Sequence, residues 1–279
     1  MGRCWQYHSG GRLMALTLHG TVADNTVVLS RPNAKPLIIN GDMNIAQRAT
    51  SVTGHTGGGY TTLDRWRFDV NTLGTWTIAK TASAPDDTGL TNSLRIDCTT
   101  ADASPAAGDY AIYGTRLEGQ DVQLFKKGTS SAEKMTVSFW VKSNKTGTYI
   151  MEIDDNDNAR NINQAYTISS ADTWEKKVLT FAGDTTGAFG NDNGDSLRLL
   201  WWLGAGSNFT SGSLQTAWAG TDNTKRAVGN VNVGDNTAND WSITGIQMEV
   251  GEFDANSIAP FQHESYADNL SRCERYCQS

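Results

Sequence analysis

Met135-Thr-Val-Ser-Phe-Trp-Val-Lys142 alternates along its whole length: Met135, Val137, Phe139 and Val141 fall on one side of an extended chain, and Thr136, Ser138, Trp140 and Lys142 on the other. Successive side chains of a strand point to opposite faces, so the first set belongs in a core and the second faces away from it. Asn144-Lys-Thr-Gly147 follows with turn chemistry, and Tyr149, Met151 and Ile153 resume the alternation. This predicts a strand–turn–strand unit with a loop longer than the tightest hairpins.

Similar runs lie at 37–40, 65–70, 75–80, 93–98, 122–125, 165–170, 175–181, 196–203 and 241–250. In one of them Leu197, Leu199, Trp201 and Leu203 form a row predicted to be buried, with Arg198, Leu200 and Trp202 pointing outward or toward an interface. Roughly ten short strands with no helical periodicity between them predict an all-β, antiparallel β-sandwich of the jelly-roll kind rather than a βαβ fold. Two segments break the pattern. Residues 204–240 are rich in Gly, Asn, Asp and Thr, and a connection this long has a role or hides a short strand. At the end of the chain Ser265-Tyr-Ala-Asp268 fits a helix start, and Leu270, Cys273 and Cys277 recur at helical steps. A short C-terminal helix over 267–278, docked by that stripe, follows. Residues 1–36, with the run Val27–Leu29 and the extended connector Arg31–Pro36, read as an N-terminal arm, and 37–279 as one domain. Met14 is a second candidate start beside Met1.

The composition narrows the function. The 279 residues carry 23 Lys+Arg against 30 Asp+Glu, a net charge of −7, with the basic residues scattered. Long-range attraction to phosphates is therefore lacking, and no nucleic-acid partner is expected. No apolar stretch is long enough to span a bilayer, so no membrane insertion is expected either. Met1–Leu13 has no apolar core of the kind a signal peptide needs. Cysteines at 4, 98, 273 and 277 form no CxxC pair, which argues against zinc ribbons and disulfide scaffolds.

No catalytic constellation stands out. There is no G-x-S-x-G elbow, Gly57-Gly58-Gly59 is followed by Tyr60-Thr-Thr rather than by a phosphate-loop Lys-Ser/Thr, and no catalytic residue is expected. Asp154-Asp155-Asn156-Asp157-Asn158 starts like an EF-hand loop, but Ala159 stands where glycine is required and Ala165 where the bidentate Glu belongs. The run reads as a solvated hairpin tip. A structural Ca²⁺ held by several acidic loops together stays open, and no other cofactor is expected. Cys273 and Cys277 read as small apolar residues on the docking face of the helix, and Cys98 as core.

The nine tryptophans supply the one binding signal, because an indole face stacks on the C–H face of a sugar ring. Trp66, Trp76 and Trp241 lie in phase with core positions. Trp140, Trp202 and Trp218 do not, and are the candidate ligand-binding residues: they line a glycan groove, or, for Trp140 and Trp202, they pack against a neighbouring subunit.

Several segments carry a resemblance. Leu37-Ile-Ile-Asn-Gly-Asp-Met-Asn-Ile-Ala-Gln-Arg48 resembles the "INGxMxIxQR" opening of a domain common in bacteriophage tail-fibre and other virion proteins. Tyr60 with Asp64-Arg65-Trp66 matches its "DRW" landmark, Ser138–Lys142 its "SFWVK", and Thr173–Phe181 its "TWxKxxxTF". Gly245–Cys277 is similar to its "GIQxEVGxxATPFxxxSYxxxLxxCxRYY" ending, with Ser257-Ile-Ala-Pro-Phe261 in place of "ATPF" and Cys277 in place of a second tyrosine. The resemblance implies a galactose-binding-type, carbohydrate-binding-module-like jelly roll on the surface of a virion tail or capsid. It implies other virion proteins and host cell-surface glycans as partners, assembly as a homotrimer, and no catalytic residues to carry over. The resulting expectation is a non-enzymatic tail fibre, spike or head fibre whose sandwich binds host glycans. The alternatives are a purely architectural capsid or tail component without ligand, and an accessory module of a glycan depolymerase.

Overall fold

The computed structural model describes residues 35–277. The assignment of 1–36 as an arm, with Cys4 and the choice between Met1 and Met14, falls almost wholly outside them. The described chain forms thirteen strands: β1 (Ser51–His55), β2 (Gly58–Gly59), β3 (Trp66–Asn71), β4 (Thr75–Thr81), β5 (Ser93–Thr100), β6 (Tyr110–Glu118), β7 (Met135–Ser143), β8 (Gly147–Asp155), β9 (Arg160–Ile168), β10 (Glu175–Phe181), β11 (Asp195–Ala205), β12 (Ala219–Gly220) and β13 (Asp240–Val250). Two helices, α1 (Ser207–Thr210) and α2 (Tyr266–Glu274), complete the regular structure apart from short 3-10 turns. The strands form two antiparallel sheets, one ordered β1-β4-β5-β13-β7-β10 and the other β12-β9-β8-β11-β6-β3-β2. They face each other as a jelly-roll sandwich.

The alternation at Met135–Lys142 holds. Met135, Val137, Phe139 and Val141 are fully buried between the sheets, as are Leu197, Leu199, Trp201 and Leu203 from the opposite sheet. Trp66, Trp76 and Trp241 join them. Trp66 stacks on Tyr113 at 5.4 Å, and Phe139 meets Trp201 edge-on at 5.4 Å. Each large side chain so buried contributes about 1.5–3 kcal/mol relative to remaining in water, which is what holds two sheets with polar outer faces together.

The expected unit of β7 and β8 is not a hairpin. β7 pairs with β10 and β13 in the six-stranded sheet, whereas β8 pairs with β9 and β11 in the seven-stranded one. Residues 144–146 carry the chain from one layer to the other, so the inward faces of both strands meet across the core instead of lying side by side. Leu37–Asn40 and Val122–Phe125 are not strands but turns, the latter ending in a 3-10 turn over Gln123–Phe125. The Gly57–Gly59 tip contributes the edge strand β2, and the long connection after β11 does hide a short strand, β12. Asp154 and Asp155 are not part of a solvated tip either: both end β8 and are buried, leaving 156–159 as the turn.

Helix α2 starts where expected and stops earlier, at Glu274. Its N-cap is Ser265, whose Oγ accepts from the Asp268 backbone N–H at 3.1 Å and donates to the Asp268 carboxylate at 2.6 Å. Cys273 and Leu270 dock the helix on Ile39 and Ile45. Ser265→Ala is expected to lower stability by about 1 kcal/mol, read as a shift in the urea midpoint with an unchanged slope.

Candidate functional site

The two outer faces of the sandwich are used differently. On the seven-stranded sheet, the chain that follows β11 folds back and covers the middle of the outer face. Ile150 and Trp202 are buried there beneath Ala227, Phe209 and Leu214. Beside this apolar cover runs a ladder of charges: Arg116 to Asp195 at 3.1 Å, Asp195 to Arg198 at 2.7 Å, Arg198 to Asp154 at 3.4 Å and Arg226 to Glu152 at 2.9 Å. Trp202 donates from Nε1 to Glu152 at 2.8 Å. It does point away from the sandwich core, but the protein's own loop occupies its face, so Trp202 is not a groove residue: a 0% exposed indole offers nothing to a ligand.

Trp218 is half-buried. Its Nε1 donates to the Ala182 carbonyl at 2.6 Å, and its ring lies 5.3 Å from the Lys127 ammonium. Lys127 is itself wholly buried, between Asp155 at 2.5 Å and Asp184 at 3.1 Å. The indole therefore covers an internal ion cluster.

The outer face of the six-stranded sheet is covered over much of its area, where Thr136, Ser138, Thr244 and Gln247 are buried and Thr136, Thr180 and Gln247 donate to the carbonyls of Gly251, Phe253 and Ala259, and it keeps partly exposed side chains toward the start of β10. Trp140 projects from β7 and is partly exposed; across the strands it is paired with Lys176 on β10 and Thr244 on β13. Lys142 follows on the same side of β7, beside Ser242. Trp174 immediately precedes β10, and its ring centroid is 5.2 Å from the Lys142 ammonium. The two partly exposed indoles thus sit on neighbouring strands with a lysine beside each. The connection between β4 and β5 edges this floor: Ser83 Oγ is 3.5 Å from Lys142 Nζ, and Thr244 donates to the Asn92 carbonyl at 2.6 Å. Gly245 sets the position of Trp140. Its φ of +62° makes the bulge in β13, and a Cβ there would come within 2.7 Å of Leu90 and 3.1 Å of the Trp140 ring.

Farther along the same face Arg95 bridges Asp97 at 2.7 Å and Asp240 at 3.3 Å. Burial pushes the Asp240 carboxyl up against the pull of Arg95. Burial also lowers the pKa of the Lys176 ammonium. Of the three candidate tryptophans only Trp140 belongs to this partly exposed patch, and Trp202 and Trp218 lie elsewhere. Trp174, Lys142 and Lys176 are the additional members. Their signal was the match in phase between Ser138–Lys142 and Thr173–Phe181, legible once the two segments are paired antiparallel.

The opening and ending motifs meet at a third place. The Asn40 side chain donates to the Ile45 and Asp64 carbonyls at 2.9 Å each and accepts from the Ile45 N–H, while its backbone N–H donates to Asn269 Oδ1 at 3.1 Å. Trp66 Nε1 donates to the Asn40 carbonyl, Arg48 pairs with Asp64, and Arg272 reaches the Pro36 carbonyl and Glu264. Arg275 pairs with Glu118, and the Arg65 guanidinium lies 3.5 Å over the Tyr276 ring. A cavity of about 160 Å³ beside this stack is lined by Arg48, Tyr60, Asp64, Arg65 and Tyr276 together with Cys273 and Cys277. Burial pushes the Cys273 thiol and the Tyr276 phenol up to about 12 each, so neither is an activated nucleophile. Among the described residues no group of three or more His, Cys, Asp or Glu is placed to hold a metal ion, and no helix is long and apolar enough to cross a membrane.

No protein-family model matches the chain, and no curated protein matches it in sequence. Among solved structures it is similar to the enzymatically active domain of tailspike protein 4 of bacteriophage CBA120, with 10% identity over 77% of this chain and 21% of that one, at a TM-score of 0.41. It is also similar to the family 11 carbohydrate-binding module of a cellulosomal cellulase of Clostridium thermocellum, with 8% identity over 72% of this chain and 98% of that one, at a TM-score of 0.35. A family 61 carbohydrate-binding module in complex with β-1,4-galactotriose gives 7% identity, 78% and 99% coverage, and a TM-score of 0.36.

Proposed function

We propose that the chain is a non-catalytic glycan-recognition module of a bacteriophage particle. A partly exposed patch on the outer face of its six-stranded sheet, Trp140 and Trp174 with Lys142 and Lys176, receives sugar rings of the host surface, and residues 1–36 attach it to the particle. One observation carries the site: the antiparallel register of β7 and β10 puts two partly exposed indoles on the same side of the sheet, where the C–H faces of sugar rings can stack. The virion setting rests on the resemblance of the opening and ending segments. In a trimer the site is presented three times, and a weak site repeated in this way gains by avidity.

The test is binding of the purified chain to a glycan array, followed by titration of the best ligand. Trp140→Ala and Trp174→Ala are each expected to weaken binding by about tenfold. Trp218→Phe, which keeps an aromatic cover on Lys127, leaves affinity unchanged. Equal affinity for all three variants and the parent would sink the assignment of the face, and release of reducing ends from any bound polysaccharide would overturn the non-catalytic reading.

A second reading, an architectural virion component without ligand, is favoured by a different observation. The opening and ending segments, which are the most distinctive part of the resemblance, meet in an internal junction through Asn40, Asp64, Trp66, Asn269 and Arg272, away from Trp140 and Trp174. Absence of all glycan binding, with ordered contacts to neighbouring capsid or tail proteins in images of intact particles, would select it.

A further inference from the structure

The tryptophans and lysines of this patch alternate diagonally. Along β7 Trp140 is followed two residues later by Lys142; on the neighbouring chain segment Trp174 is followed two residues later by Lys176. Because the strands run antiparallel, Lys176 lies opposite Trp140, and Trp174 lies beside Lys142. Each indole therefore has a lysine at two neighbouring positions of the register, and the Lys142 ammonium lies over the Trp174 ring.

Neither lysine is in an ion pair with a described carboxylate. Lys145 and Lys177, close by in sequence, are paired, with Asp235 at 2.5 Å and Glu175 at 2.6 Å. Lys142 has only Ser83 at 3.5 Å and the Trp174 ring. The carboxylate whose titration it influences, Asp240, is already bound by Arg95. Lys176 is partly buried, and loss of water there lowers the pKa of its ammonium group with no carboxylate to offset the effect. In a chain with net charge −7, two lysines at neighbouring register positions, neither in an ion pair with a described carboxylate, run against the balance of the molecule. Cβ atoms placed diagonally across two strands are about 7–8 Å apart, close enough for two long lysine side chains to converge on one acidic substituent while the ring that carries it stacks on an indole.

We propose that the sugar received on this face is anionic: a ring bearing a carboxylate, sulfate or phosphate group that accepts hydrogen bonds from Lys142 and Lys176 while stacking on Trp140 or Trp174. This rests on the reading of that face as the glycan site and names the class of ligand it takes. Charge-assisted hydrogen bonds supply the selectivity, and because the site is on the surface, the acidic ligand's advantage falls with added salt.

The experiment compares matched probes on the full chain by tryptophan fluorescence titration: polygalacturonate against its carboxyl-reduced form, and dextran sulfate against dextran. The array of the previous section, restricted to matched neutral and acidic glycans, extends the set to phosphorylated sugars. The acidic member of at least one pair is expected to bind more tightly by about tenfold per lysine engaged. The Lys142→Gln/Lys176→Gln double variant loses that preference, while Trp174→Ala weakens the neutral and acidic members alike. Which pair responds distinguishes carboxylate from sulfate or phosphate. Neutral and acidic members binding equally, with no effect of the lysine substitutions, overturns the anionic ligand but leaves the glycan reading intact. Binding to no glycan of either kind overturns both. Thermal unfolding of the double variant near the parent's midpoint confirms that a lost preference is not a loss of fold.

Discussion

Arg226→Met is expected to lower the free energy of unfolding by about 3–5 kcal/mol at pH 7, and by clearly less at pH 5. Glu152 has no exposed surface, and its carboxylate is held by Arg226 at 2.9 Å and by Trp202 Nε1 at 2.8 Å. Burial pushes the Glu152 carboxyl up, and Arg226 pulls it back. The neighbouring Asp154 is raised by burial in the same way and is also relieved by Arg226. A carboxyl whose folded pKa stands above its unfolded value contributes stability that is fully present below the unfolded value and is lost as pH rises through the folded one. Removing Arg226 moves both folded values farther up, so the variant carries a larger unfavourable contribution at neutral pH. That excess disappears as Glu152 and Asp154 take protons. Asp184 and Glu175, held below the usual carboxylate range, weaken both proteins alike as pH falls, so the quantity to follow is the difference between variant and parent. Denaturant unfolding of the two proteins at pH 7, 6 and 5 gives it. A difference that does not change with pH would mean that Arg226 acts by packing against Trp202, 5.3 Å away, and not by its charge.

Lys127→Met is expected to cost a similar 3–5 kcal/mol. The Lys127 ammonium is wholly enclosed, donating to the Thr186 and Gly187 carbonyls at 2.9 and 2.7 Å and facing Asp155 and Asp184. Asp184 keeps Arg160 at 2.7 Å, but Asp155 is left with Asn158. An isolated buried carboxylate with two further unmatched carbonyls is the kind of defect that dominates large mutational losses. Replacing Asp155 with leucine in the same variant removes that unpaired charge, so the double variant is expected to be more stable than Lys127→Met alone. A double variant no better than the single one would show that the carbonyl contacts, rather than the ion pair, set the loss. Trp218 reports the event locally, because its ring stands over the missing ammonium.

The reading of faces from alternation succeeded wherever one side of a strand is apolar and the other polar, as at Met135–Lys142. It gave no reading of β6. There Ala111, Tyr113 and Leu117 point inward, yet Tyr110 and Ile112 on the other side are also apolar and are partly covered by the returning loop with Phe209. A strand with apolar residues on both faces shows no alternation. The same cover explains Trp202, whose outward phase was legible in the sequence but whose burial by residues 206–227 was not. Alternation also names a face without naming a partner. The short link from Ser143 to Gly147 reads as a hairpin until the sheets are assembled, and Trp174 joins Trp140 only through the register of β7 with β10. Lys127 carried no signal, since nothing local distinguishes an enclosed lysine from a solvated one. The start of α2 was legible because Ser265 and Asp268 are a local, self-contained cap.

The position of β13 bears on how the chain comes to be folded. It is the last strand in sequence among the described residues, yet it lies in the middle of its sheet, between β5 and β7. Until residues 240–250 have left the ribosome, that sheet exists at most as two separate ribbons, β1-β4-β5 and β7-β10, each with an unpaired inner edge. Such edges invite pairing with other chains, and sandwiches dominated by distant contacts assemble slowly. During synthesis both ribbons therefore wait for residues 240–250 to join them, and in that interval their inner edges are open to strands of other nascent chains.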